Sequence, residues 1–340
     1  MSKRWRSQKE GFQEALHYMR DRKAGLITSF KTPYKALNYA TVDGLEWGST
    51  TVIAGRPGSG KTCVKDQIIR DGVKLNCTPE EYDTARFPFR ILEFQLEMVS
   101  RVSALREFSS VIEKSYKYLC STDGVMTDDD MKHCLEYAKL RVQYPIDVID
   151  EPCVVNEFES IIEEYMEEHS YIEIQVDEKT GEETPEKKYR NTLISLDHSI
   201  LLEKDKSEGE KDKYDMLYHL GPSVTKLKKR YPICFIILSQ LNRNVDSIDR
   251  AKEASYGNYV LDSDLFGGDA LLQHADTLIG LNRPGERFIK QYGPEKYIIA
   301  DDSIIVMHFL KCRNGEKGLC FFQEEFHKMR LKPIPNPPKG

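Results

Sequence analysis

The sequence has no long apolar run, no signal peptide and no excess of positive charge. No apolar stretch approaches the roughly 18 residues that indicate a membrane-spanning helix, and the N-terminal residues MSKRWRSQKEGF lack the apolar core of a signal peptide. The net charge is −6 and the isoelectric point is near 5.9, so no overall basic field indicates nucleic acid, although a basic channel inside an assembly stays open. We therefore expect a soluble protein without a membrane partner.

Paired cysteines are also absent. None of the eight cysteines, at positions 63, 77, 120, 134, 153, 234, 312 and 320, lies in a CxxC motif. Most fall within predicted helices or strands, which favours reduced thiols over a zinc site or a disulfide framework. The sequence therefore predicts an intracellular, cytoplasmic protein.

What the sequence does contain is a glycine-rich phosphate cradle. Residues 55–62 read GRPGSGKT, between the apolar run TTVIA and the helical pattern CVKDQIIRDGVKL. In this strand, turn and helix arrangement the backbone wraps a polyphosphate, the lysine offsets the charge of the outer phosphates, and the Thr62 hydroxyl is placed to hold Mg²⁺. A glycine-rich turn without a ligand is the lesser alternative. The predicted nucleotide-binding residues are Gly55, Arg56, Pro57, Gly58, Ser59, Gly60, Lys61, Thr62 and Cys63.

Alternating apolar strands and helices predict an α/β fold with a largely parallel, twisted sheet flanked by helices. The predicted strands are 50–54, 90–95, 145–149, 192–197, 233–238, 277–281, 304–310 and 318–322. We expect one main domain, residues 25–340, with a solvated hairpin inserted at 171–190. Residues 1–24 form a separate N-terminal arm in this prediction.

The arm carries an apolar stripe. Trp5, Phe12, Leu16 and Met19 share one face of a helix predicted over about residues 3–22. The stripe needs a partner, and the sequence leaves two open: the helix's own domain, or a neighbouring subunit.

Polar side chains follow three predicted strands at their carboxyl ends, where ligands bind in open α/β sheets. Glu97 follows RILEFQ and is a candidate for orienting the attacking water, with a helix-capping glutamate as an even alternative. Asp197 ends TLISLD and is a candidate Mg²⁺ ligand; a capping aspartate is the competing interpretation. Gln240 ends the next strand and is a candidate sensor of the γ-phosphate, although alone it is only a polar residue at a strand end.

The order of these motifs resembles the ATPase domain of DnaB-type replicative helicases, which has a RecA-like core. The similarity runs from about Thr32 to the strand at 318–322. Its matching segments are TPYKALNYATVDGLEWGSTTVIAGRPGSGKT, FQLEM, the strand ending in Asp197, SQLNR, SDLFGGDALLQHADTLIGLNRP and FLKCRNGEKG.

The resemblance implies a role for each matching residue. Glu97 corresponds to the catalytic glutamate, Asp197 to the Mg²⁺-associated carboxylate and Gln240 to the γ-phosphate sensor. Lys311 and Arg313 correspond to a basic pair that reaches into the nucleotide site of the adjacent subunit. The family further implies ATP and Mg²⁺ as cofactors, single-stranded DNA as a partner, a homo-hexamer and contacts with replisome proteins.

The chain also departs from the family pattern. His198 stands where a tyrosine is typical, and we expect it to serve packing. Phe266-Gly267-Gly268-Asp269 stands where Arg-Glu-Ser-Gly is common. No helical N-terminal domain precedes the arm, so the usual surface for primase is missing from the prediction. This minimal architecture favours a viral or mobile-element helicase acting in a bacterial host.

The polar stretch 241–268 has the length expected of DNA-channel loops. Its candidate phosphate contacts are the side chains of Arg243, Arg250 and Lys252 and the backbone amides at Gly267 and Gly268. A solvated loop is an almost equal alternative. Two other functions also remain open at this point: a RecA- or RadA-like recombinase that forms filaments, and an ATP-dependent switch or loader that does not unwind.

Overall fold

The sequence folds into a nine-stranded sheet with helices on both faces. The computed structural model describes residues 5–77, 89–176, 181–247, 249–250 and 259–340, and every statement on structure refers to them.

The helices within the described residues are α1 (Gln8–Lys23), α2 (Lys35–Ala40), α3 (Lys61–Asn76), α4 (Ser100–Val111), α5 (Tyr116–Cys120), α6 (Asp128–Arg141), α7 (Val155–Glu168), α8 (Lys213–Arg230) and α9 (Gly268–Leu272). The strands are β1 (Thr50–Gly55), β2 (Phe89–Gln95), β3 (Ile146–Ile149), β4 (Tyr171–Val176), β5 (Glu183–Lys188), β6 (Asn191–Asp197), β7 (Ile233–Gln240), β8 (Thr277–Asn282), β9 (Gln291–Tyr292), β10 (Tyr297–Ile298), β11 (Ile304–Cys312), β12 (Gly318–Glu325) and β13 (Arg330–Ile334).

The main sheet has the order β13-β12-β11-β8-β1-β7-β6-β2-β3. The strands from β8 to β3 in this order are mutually parallel, and β11, β12 and β13 add antiparallel pairs at one edge. Each strand predicted from the sequence is present, and the prediction of a largely parallel sheet is confirmed.

Side chains of the central strands alternate between two apolar cores, as the period of a strand requires. Val52 and Ala54 of β1 face one core together with α7 and α8, whereas Ile53 faces the other core together with α3. Each fully buried aliphatic side chain stabilises the fold by roughly 1.5–3 kcal/mol. The two cores therefore pack against both faces of β1 and fix the point at which the chain leaves the sheet after Gly55.

Helix α1 contributes nothing to either core. It begins with a capping box between Ser7 and Glu10, and none of its residues is buried. The helix predicted from about residue 3 begins at Gln8, so Trp5 precedes it and only Phe12, Leu16 and Met19 of the predicted stripe lie on the helix. All four side chains are exposed, Trp5, Phe12, Leu16 and Met19 by 73%, 64%, 62% and 65%. The stripe therefore does not pack on the chain's own domain. The Tyr18 hydroxyl, which donates to Glu46 at 2.6 Å, ties the helix to the domain.

The predicted insertion is a two-stranded antiparallel hairpin of β4 and β5, in which Tyr171 pairs with Lys188 and Val176 pairs with Glu183. Both strands are exposed along nearly their whole length. Among the described helices, none is long and apolar enough to cross a lipid bilayer.

Candidate functional site

The parallel strands bring the predicted site residues to one edge of the sheet. Gly55 at the end of β1 pairs in register with Gln240 at the end of β7, and Gln95 at the end of β2 pairs with Asp197 at the end of β6. A cleft of about 990 Å³ opens at this edge. Its lining includes Gly58, Gly60, Lys61, Thr62, Glu97 and Gln240. Residues that lie far apart in sequence thus face one space.

Glycine is required at two positions of the loop between β1 and α3. A Cβ atom on Gly55 would lie 2.1 Å from the Ser59 hydroxyl oxygen. Gly60 has a φ of 92° and caps the start of α3, and a Cβ there would lie 2.9 Å from the ring of Phe326. Because these positions have no side chain, the loop closes tightly and the amides at the start of α3 face the cleft.

Lys61 occupies the position from which it can reach phosphates. Its Nζ donates to the carbonyl oxygens of Gly55 at 2.9 Å and Arg56 at 3.2 Å. Burial lowers the pKa of Lys61, and the carboxylates of Asp197 and Glu97 oppose this shift. The ammonium group thus stands in the field of the predicted catalytic Glu97 and of the predicted Mg²⁺ ligand Asp197.

Asp197 is almost completely buried, with 2% of its surface exposed. Burial raises its pKa, an effect that Lys65, the Thr62 hydroxyl and Lys61 oppose. Its Oδ1 atom has no hydrogen-bond partner among the described residues. A buried carboxylate oxygen without a donor, close to a hydroxyl, fits a site for a hard cation such as Mg²⁺.

Glu97 lies two residues beyond the end of β2 and is exposed to the cleft. Its carboxylate is exposed at the cleft, unlike that of the buried Asp197. Its catalytic role stays a prediction.

Gln240 contacts His198 on the neighbouring strand end. The Nε2 atoms of the two side chains are 3.3 Å apart. Burial lowers the pKa of His198 to about 4, so the imidazole is neutral at pH 7 and its Nε2 can accept a hydrogen bond from the Gln240 amide nitrogen. The expected packing role of His198 is incomplete as a description, because this side chain also lines the cleft.

Lys311 and Arg313 lie outside the lining of this cleft. The Lys311 Nζ donates to the carbonyl oxygen of Leu272 at 2.6 Å. Arg313 lies just beyond β11 and forms an ion pair with Asp276, with 2.7 Å between Nη1 and Oδ1. The chain therefore does not bring this basic pair to its own phosphate cradle.

The candidate DNA contacts are dispersed along segment 241–268. Arg243 is exposed on a short 3-10 turn, Arg243–Asp246. Arg250 forms an ion pair with the buried Asp264 at 2.6 Å and donates to the carbonyl oxygen of Tyr259, so its guanidinium group is held within the segment. Lys252 lies outside the described residues.

The space beside the α-carbon differs between Gly267 and Gly268. Gly267 has a φ of 69°, and a Cβ there would lie 2.4 Å from Leu217, whereas no heavy atom lies within 4 Å of the same point on Gly268. Space beside the α-carbon is thus present at Gly268, but its backbone amide already donates to the carbonyl oxygen of Leu265 at 3.0 Å. DNA binding by all five candidate positions stays a prediction.

Two features of the site are not predicted from the sequence. The first is Arg106 on α4, which lines the cleft nine residues beyond Glu97. Its position on the helix that follows the strand before Glu97 is the sequence signal that could have indicated it. Lys65 is 1% exposed and forms ion pairs with Asp66 at 2.7 Å and Glu93 at 3.1 Å, with Asp197 3.9 Å away. Burial alone lowers the pKa of Lys65, but these three carboxylates outweigh it and raise the pKa.

Comparisons with known proteins identify the family and the fold. A family model described as the DnaB-like helicase C-terminal domain matches residues 29–331. Nothing among the curated proteins matches the chain. A solved ATPase domain is 16% identical, with a TM-score of 0.72, and the alignment covers 95% of this chain and 98% of the other. A DnaB-like replicative helicase studied for its interactions with primase is 15% identical, with a TM-score of 0.70, and the alignment covers 95% of this chain and 66% of the other. At these identities the two structures show a common fold.

Proposed function

Since the chain belongs to the DnaB-like helicase C-terminal domain family, whose members are ATP-hydrolysing DNA helicases, we propose that it is a replicative helicase motor that translocates on single-stranded DNA and unwinds duplex. The observation that carries the proposal is the cleft in which the P-loop, Glu97 and Gln240 meet beside the buried Asp197. This set supplies a phosphate cradle, a group to orient water and a sensor at the end of one sheet.

In this proposal the loop amides and Lys61 hold the β- and γ-phosphates of ATP. Lys61 then exchanges the carbonyl oxygens of Gly55 and Arg56 for phosphate oxygens. Glu97 orients the attacking water, and Gln240 contacts the γ-phosphate. Thr62 and Asp197 are the residues that would hold Mg²⁺, which would offset the negative charge of the phosphates. Arg106 is an additional cation on the cleft wall that is available to the phosphates.

The proposal includes a homo-hexameric ring. Its support is that Lys311 and Arg313 lie outside their own cleft, so they can act on a nucleotide only if it is bound by another copy. The exposed stripe of α1 supplies a second surface for contact between copies, with residues 1–24 as the docking arm. Hydrolysis at one interface would then shift segment 241–268 along the DNA strand.

Location and further partners follow from the same proposal. Replisome proteins of the host are the expected partners. A cytoplasmic location is supported by the eight cysteines, which are all free thiols.

The test is the rate of ATP hydrolysis with and without single-stranded DNA, combined with unwinding of a forked duplex. A helicase motor hydrolyses ATP faster on single-stranded DNA and separates the fork. Hydrolysis that is indifferent to DNA would favour an ATP switch, and strand exchange without unwinding would favour a recombinase. The Lys61→Ala protein is the control for a contaminating ATPase.

A further inference from the structure

The phosphate cradle and the segment that carries the candidate DNA contacts are joined by one ion pair. The Nε atom of Arg56, the second residue of the P-loop, lies 2.7 Å from Oδ2 of Asp246. About a third of each side chain is exposed, 33% for Arg56 and 37% for Asp246. No step of the proposed hydrolysis uses this pair.

Asp246 is the last residue of the 3-10 turn that begins with Arg243. The turn is held firmly, because the Val245 side chain is buried and its carbonyl oxygen accepts a hydrogen bond from Arg287. The Asn242 side chain caps the turn through the amide of Asn244. Arg243, a candidate phosphate contact, and Asp246 are therefore the two ends of one hydrogen-bonded turn, so a displacement of Arg243 by DNA would also move Asp246.

Arg56 also helps to hold Lys61 in its position in the loop. Its carbonyl oxygen accepts hydrogen bonds from the Ser59 amide at 3.1 Å and from the Lys61 Nζ at 3.2 Å. A shift of Asp246 that pulls on the Arg56 side chain therefore also acts on the position of Lys61. The other end of the segment is joined to Gln240, whose carbonyl oxygen accepts from the Phe266 amide at 2.8 Å.

We propose that Asp246 is a positioning residue that, through Arg56, couples occupation of the nucleotide cradle to occupation of segment 241–268 by DNA. The inference rests on the proposed helicase function. Coupling between two ligands is reciprocal: the factor by which DNA changes nucleotide affinity equals the factor by which nucleotide changes DNA affinity. An ion pair this exposed changes such an equilibrium by at most about five-fold.

The experiment measures both affinities on the full chain. A fluorescently labelled adenylyl-imidodiphosphate reports nucleotide binding with and without an oligothymidylate, and a fluorescein-labelled oligothymidylate reports DNA binding with and without the same analogue. Asp246→Asn removes the charge and keeps the shape of the side chain. We expect the coupling factor to fall about two- to five-fold in both directions, with hydrolysis in the absence of DNA unchanged.

Asp262→Asn is the matched control. Asp262 lies in the same segment and is exposed, and its carboxylate accepts from the Ser263 amide at 2.9 Å and forms no ion pair within the described ranges. It should keep the wild-type coupling factor. In a double-mutant cycle with Arg56→Gln, the double variant should couple no worse than Asp246→Asn alone, because both changes remove the same interaction.

A coupling factor that survives Asp246→Asn, or that falls equally in Asp262→Asn, overturns this inference and leaves the helicase proposal standing. The inference is also overturned if the losses of coupling in Asp246→Asn and Arg56→Gln add in the double variant. Wild-type nucleotide affinity that is indifferent to DNA overturns this inference, whereas wild-type protein that fails to unwind the fork overturns the helicase proposal, so the two failures are distinguishable.

Discussion

The Arg313→Ala variant tests whether the role of Arg313 is structural or catalytic. Arg313 is 52% exposed on its side chain and pairs with Asp276 at 2.7 Å. Truncation leaves Asp276 bonded to the Thr50 amide at 2.8 Å and paired with Lys228, so no buried charge is stranded. The loss of folding stability should therefore be at most about 1 kcal/mol. If the guanidinium group acts on the nucleotide of an adjacent subunit, hydrolysis should instead fall about 10³–10⁵-fold, which is about 4–7 kcal/mol of barrier.

Arg230→Ala is the matched control. Arg230 has a side-chain exposure of 51%, pairs with Glu163 at 2.8 Å and lies 3.9 Å from Glu167 and 4.9 Å from the Tyr231 ring. Its structural contribution should therefore be at least that of Arg313. Arg230 is the last residue of α8, shortly before β7 begins, and lies at the sheet edge opposite the cleft. Steady-state hydrolysis on single-stranded DNA and thermal unfolding of both variants are the measurements. Similar melting temperatures with a loss of hydrolysis only in Arg313→Ala are expected.

Mixing Arg313→Ala with Lys61→Ala tests whether the arginine acts between subunits. Each variant is inactive alone, but in random rings about a quarter of the interfaces pair an intact cradle with an intact arginine. Partial recovery of hydrolysis is expected. Absence of recovery at any ratio, with subunit exchange verified by fluorescence, would refute action in trans, and wild-type turnover by Arg313→Ala alone would refute the catalytic assignment.

Three further predictions concern the cradle and the arm. Lys61→Ala should lose nucleotide binding or turnover, measured by calorimetry and phosphate release, because it removes the charge that faces the β- and γ-phosphates. Glu97→Gln should bind ATP and stall; normal turnover by this variant would refute the catalytic assignment of Glu97. Deletion of residues 1–24 should leave the domain folded, because α1 has no buried residue, but should weaken the ring, since burial of four such side chains contributes roughly 1.5–3 kcal/mol each. Sedimentation with ATP and Mg²⁺ decides this, and full-size rings at an unchanged protein concentration would exclude docking.

The sequence predicts the sheet well because its central strands are buried on both faces and read as unbroken apolar runs. The strands it misses are of another kind. β13 reads RLKPI and pairs only with β12 at the sheet edge, and its proline removes a backbone donor, so its residues carry no strand pattern. β9 and β10 are two residues each, too short for any periodicity to show.

The stripe of α1 shows a different limit. Its period predicts a helix and an apolar face; the helix is present from Gln8 and carries Phe12, Leu16 and Met19, whereas Trp5 lies before its first residue. What covers the face is a question of tertiary and quaternary contact, which periodicity does not encode. The chain's own domain is excluded only because the structure places the four side chains in solvent.

The buried ion pairs behind the cleft were within reach of the sequence, yet only the structure makes them useful. Lys65 interrupts an apolar helix face and Glu93 interrupts the apolar strand RILEFQ; since a buried charge must be paired, two such interruptions of opposite sign predict a pair. Removing one partner would cost about 3–5 kcal/mol and would disturb Asp197, 3.9 Å from Lys65. Activity and stability therefore cannot be separated at Lys65 by a single substitution. They can be separated at Arg313 and Asp246, where the charges are partly solvated and each loss has a control of equal exposure or charge.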